Sequence, residues 1–131
     1  MRSIPLVLAI AVLAGCGSPH PATFEQDYDE VIADAEERME NPPVDPSDPA
    51  SLRRVARASG DAAAELRELE APSGTEDELT AVVYAMEKVS EAFAAAADQH
   101  PDFEAWVGES LEVNGERLDI ADDALRAALV Q

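Results

Sequence analysis

From Thr23 to the C-terminus, apolar residues recur at steps of three and four, and no stretch alternates with period two. That spacing gathers apolar side chains on one face of a helix and leaves no half-buried strand, so the chain is predicted to be all-α. Proline then divides the pattern into four parts. The first helix spans about Phe24 to Glu40, with Phe24, Tyr28, Val31, Ile32, Ala35 and Met39 as its stripe. Thr23 is placed to cap it, with Gln26 returning the bond in a capping box. Asn41-Pro42-Pro43 stops it, because proline has no amide donor and turns the preceding residue away from helix.

Asp48 as N-cap and Pro49 at the first helical position open the second helix. Its stripe runs Leu52, Val55, Ala56, Ser59, Ala62, Ala63, Leu66 and Leu69 toward an end near Ala71-Pro72. Gly60 costs about 1 kcal/mol against alanine inside an exposed helix, yet the stripe keeps phase across it. Ser73-Gly74 is a turn, and Thr75 with Glu78 forms a second capping box. The third helix carries Leu79, Val82, Val83, Met86, Val89, Phe93 and Ala97 and stops before Pro101.

The fourth begins near Pro101 or Asp102 with the stripe Phe103, Trp106, Val107, Leu111, Asn114, Leu118, Ala121, Leu125 and Leu129. Asn114-Gly115 is a turn signal that would split it into two short helices, but the unbroken phase favours a single long one. Four amphipathic helices with short connections are predicted to form an up-down-up-down four-helix bundle over residues 23–131. Its alanine stretches, 62–64 and 94–97, allow close helix approach with little buried area per residue.

The N-terminus is of a different kind. Arg2 is followed by an apolar run from Ile4 to Leu13 and then Leu13-Ala14-Gly15-Cys16, the pattern of an export signal. The run is too short for a membrane-spanning helix, which needs about 20 residues. The Leu-Ala-Gly-Cys tetrapeptide resembles the lipobox of bacterial lipoproteins. That resemblance implies diacylglyceryl attachment to the Cys16 thiol, cleavage just before it, and acylation of the new amino group. Cys16 is also the single cysteine, so no intramolecular disulfide competes for it. Two or three acyl chains, each buried methylene contributing about 0.8 kcal/mol, suffice for stable anchoring. Residues 17–22, with two prolines, read as a spacer of roughly 3 Å per residue. With the spacer and small acidic helical body, the layout resembles that of small lipoproteins of GC-rich bacteria. The implied location is the exported side of the cell membrane or outer membrane.

Charge narrows the partners. The chain of 131 residues carries −19, and losing 15 residues with Arg2 leaves 116 at −20. Phosphates are bound electrostatically through clustered Lys and Arg, and here 9 such residues stand against 28 Asp and Glu, which excludes nucleic acid. Apolar residues at 47% exclude the disordered class.

Candidate chemistry is sparse. His20 lies in the spacer, His100 precedes a proline, and the cysteine is assigned to lipid, so no nucleophile, base and orienter assemble and no enzyme is expected. Bundle topology brings Glu40, Asp45, Asp48, Asp98, His100 and Asp102 to one tip, either as a solvated acidic cap or as ligands for calcium or a transition metal. Met39 and His100 near that tip resemble the axial ligands of the cytochrome b562 family. In that family the histidine lies within the last helix, whereas His100 precedes Pro101, and no cofactor beyond the lipid on Cys16 is expected. Arg53, Arg54 and Arg57 oppose the dipole of the second helix, and antiparallel pairing with Glu36, Glu37 and Glu40 would compensate them, the alternative being an external anion. Trp106 is core at helical spacing or a partner contact.

Two functions follow as expectations. One is a tethered, non-enzymatic interaction module presenting a helical face to another envelope protein. The other is a ligand or metal carrier using the acidic tip or a cavity in the alanine-rich core, for which a polar-lined pocket reaching the surface would be the mark.

Overall fold

The computed structural model describes residues 21–98 and 104–130, with 21 and 104–111 described as backbone only. The signal and lipobox segment, the spacer through His20, and His100, Asp102 and Phe103 lie outside the described residues. Four helices follow in order: α1 Pro21–Glu40, α2 Pro49–Glu68, α3 Glu76–Asp98 and α4 Glu104–Leu129. Consecutive helices pack side by side, most extensively α2 with α3, and the chain is the expected all-α bundle.

The starts and stops follow local chemistry. α1 begins at Pro21, three residues before the expected start at Phe24, because proline's missing N–H is not needed in a first turn. Thr23 therefore sits inside the helix instead of capping it. Asp48 is extended and accepts from the Ala50 N–H at 3.0 Å, capping α2 as its sequence indicates. α2 closes at Glu68 rather than Ala71: Leu69 turns extended while still packing on the core, and Pro72 biases the residue before it away from helix.

The expected box between Thr75 and Glu78 does not form. The Thr75 N–H and hydroxyl both donate to the Pro72 carbonyl, at 3.0 and 2.7 Å, leaving no free donor for Glu78 to reach. Gly74 takes φ +92° in this turn, a conformation that costs glycine little. α4 runs unbroken through Asn114 and Gly115, since its apolar phase never resets.

Burial follows the apolar stripes and widens on two helices, α2 adding Ala58. α3 also buries Ala85, Ala92 and Ala96, because it is flanked by both α2 and α4. The core has two clusters. One surrounds Tyr28, Leu66, Val82, Met86 and Leu125; the other, nearer the α1 to α2 connector, holds Leu52, Val55, Val89 and Phe93. Met39 packs against both.

Gly60 explains itself here. A Cβ at that position would stand 3.1 Å from Ser90 Oγ, whose hydroxyl donates to the Ala56 carbonyl at 2.7 Å. The missing side chain lets α3 seat its serine on the α2 backbone.

Candidate functional site

The α1 to α2 connector and the end of α3 share one end of the bundle, joined by the ion pair of Arg53 with Asp98 at 3.6 Å. The four described carboxylates of the acidic tip do not converge. Asp45 accepts from the Ser47 N–H and hydroxyl, at 2.9 and 2.6 Å, bonds that hold its carboxyl below the usual aspartate range. Asp48 is occupied as the α2 cap, and Asp98 faces Arg53. Glu40 is exposed at the end of α1. Among the described residues no group of three His, Cys, Asp or Glu is placed to hold a metal ion. His100 and Asp102 lie outside the described residues, as does the side chain of Trp106.

The arginine cluster is also arranged differently from expectation. Arg38 meets Asp61 at 2.9 Å and the Ser59 hydroxyl donates to the Met39 sulfur at 3.4 Å, which fixes the register of α1 on α2. In that register Arg53 and Arg54 lie past the end of α1, and their partners are not Glu36, Glu37 or Glu40. Arg53 turns to Asp98 of α3, and one Arg54 nitrogen donates to the Pro43 carbonyl at 3.5 Å. Its other terminal nitrogen is buried without a partner. Arg57 is exposed.

The bundle closes between its first and last helices through a network of which stripe reading named only Tyr28, as core. Tyr28 is fully buried, and its hydroxyl donates to Asp122 Oδ1 at 2.5 Å. Arg126 donates to Asp122 at 3.1 Å and to Asp29 at 2.9 Å, with its guanidinium 5.4 Å from the centre of the Tyr28 ring. Burial first, and then the bond to Asp122, push the Tyr28 phenol above its ordinary pKa of 10.0. A tyrosine in a buried stripe needs a partner for its hydroxyl, and that requirement was the available signal.

The backbones of α1 and α4 approach less closely than those of the consecutive pairs. A cleft of about 140 Å³ opens there. Met86 of α3, 2% exposed, lies in it with Ile32, Met39 and Leu118, all four apolar. Glu36 and Asp119, both exposed, stand at its mouth, and Asp122 lies at the Tyr28 end.

A second surface lies on the outside of α4. Val113 and Ile120 are 52% and 63% exposed one heptad apart, and Ala127 continues the row. Glu116 and Asp123 flank it in the same register, with Arg117 turned back over Tyr84 at 5.6 Å. No described helix packs on this row.

Among the described residues no helix is long and apolar enough to cross a membrane. Comparison with protein-family models, curated proteins and solved structures finds no match to this chain.

Proposed function

We propose that this protein is a lipid-anchored, non-enzymatic module of the cell envelope, tethered through Cys16 and presenting the outer face of α4 to another envelope protein. The observation that carries the reading is the exposed row Val113, Ile120 and Ala127, flanked by carboxylates. Exposed branched residues one heptad apart fit the groove-and-ridge spacing by which a second helix docks. The flanking Glu116 and Asp123, on a chain of net charge −19, select a partner of opposite sign. The occupant that fits is therefore a basic amphipathic helix of an envelope protein. Replacing Ile120 with lysine tests it: the bundle should keep its melting point while the captured partner is lost. Unchanged capture by Ile120→Lys would refute the assigned face.

A second reading rests on the cleft between α1 and α4, which reaches the surface through an acidic mouth. In that reading the tethered bundle holds a small ligand. Cleft and row engage different faces of α4, so the two functions are compatible.

A further inference from the structure

We infer that the cleft between α1 and α4 takes a small organic ammonium ion, with an apolar body about the size of one aromatic ring and a protonated amine. This rests on the ligand-binding reading above and adds the ligand's chemical class. The body is set by volume and lining. At about 140 Å³ the cleft approaches the roughly 150 Å³ at which an apolar cavity stays dry and accepts benzene. Ile32 and Leu118 offer an incoming water no hydrogen-bond partner and the Met39 and Met86 sulfurs only weak acceptors, whereas flexible thioethers adapt well to an apolar guest.

The charge of the head group is set by the mouth. Asp122 is committed to Tyr28 and Arg126, but Glu36 and Asp119 have no ion-pair or hydrogen-bond partner among the described residues. A carboxylate-bearing guest would meet only like charge there. A neutral guest would leave both carboxylates as they are. An ammonium gains two charge-assisted contacts at the edge of an apolar wall, where the local dielectric is below that of water. The same mouth does not suit a bare metal ion, because the wall behind it is apolar.

The test uses the full chain in lipid nanodiscs, titrated calorimetrically with phenethylammonium, its neutral analogue 2-phenylethanol and the anion phenylacetate, with empty nanodiscs subtracted. The ammonium should bind at least ten-fold more tightly than the alcohol, and phenylacetate should show no binding. The double variant Glu36→Gln, Asp119→Asn should bring the ammonium to the level of the alcohol. Leu118→Trp should abolish binding of both, with Ile32→Phe as a second filling variant should the first not fold. Equal binding of ammonium and alcohol would overturn the charge assignment while leaving a ligand cleft. Binding that survives a folded filling variant, or no heat with any probe at millimolar concentration, would overturn the cleft itself.

Discussion

Tyr28 and Asp122 are 94 positions apart in the chain, and the phenol hydroxyl of one donates to the carboxylate of the other at 2.5 Å. This bond joins the first helix to the last where their backbones stand apart. A hydrogen bond to a charged acceptor contributes about 1.5–3 kcal/mol, so Tyr28→Phe is expected to destabilise the bundle by that amount in urea unfolding followed by circular dichroism. A change below a few tenths of a kcal/mol would show that the bond adds nothing to closure.

The same tyrosine gives a pH dependence with a defined sign. Its folded pKa lies above its unfolded value of 10.0 because burial and Asp122 both favour the protonated phenol. Its contribution is fully present below pH 10. Above that, the unfolded chain releases the proton while the folded chain retains it, so stability falls as pH rises. Unfolding midpoints should decline above pH 10, and Tyr28→Phe should flatten part of that decline. Parallel profiles for the two proteins would contradict the assignment.

Arg126 makes a more exposed set of contacts. Its pairing with Asp29 joins side chains that are 38% and 50% exposed, so solvent screens it. A double-mutant cycle over Arg126 and Asp29 is expected to return a coupling of about 0.2–1 kcal/mol, well below that of Tyr28 with Asp122. It should shrink further in molar salt. A coupling above 2 kcal/mol would show that the pair is desolvated.

Two glycines within helices should respond in opposite directions. At Gly115 an added Cβ meets nothing within 4 Å, so Gly115→Ala should stabilise by about 0.5–1 kcal/mol through helix propensity. At Gly60 the Cβ would press on Ser90 Oγ at 3.1 Å, and that oxygen is held by its bond to Ala56. Gly60→Ala should therefore cost about 1 kcal/mol net, the strain of overpacking exceeding the propensity gain. In a Ser90→Ala background the sign should reverse. Thermal melts of the four proteins decide it, and a stabilising Gly60→Ala in the wild-type background would show that Ser90 yields freely.

Cys16→Ser tests the anchor. The variant should lose metabolic labelling by an alkyne fatty acid and leave the membrane fraction, while the parent retains both. Persistent labelling of the serine variant would move the lipid to another residue.

The stripes of Tyr28, Leu52, Met86 and Leu125 were legible because a 3.6-residue period needs only the order of residues. Asp48 with Pro49 was legible for the same reason, since a cap and a first-turn proline are local. The fate of Arg53 and Arg54 was not, because it depends on how far α2 slides along α1, a register fixed by Arg38 with Asp61 and Met39 with Ser59. The cleft was invisible too. It arises where α1 and α4, distant in sequence, fail to close fully, and no single stripe encodes the distance between two helices. Thr75 shows a smaller failure of the same kind, where a motif at the right spacing lost its donor to Pro72.

The central claim, that the outer face of α4 is a docking surface for a basic amphipathic helix, is tested by placing a photoreactive side chain at Ile120 in the anchored protein, with Arg57 on the outside of α2 as reference. Irradiation of the native envelope should give one discrete adduct from position 120 and none from 57. The peptide joined in that adduct should be a lysine- or arginine-rich amphipathic segment. The same adducts from both positions, none from position 120, or an acidic peptide in the adduct, would contradict the account.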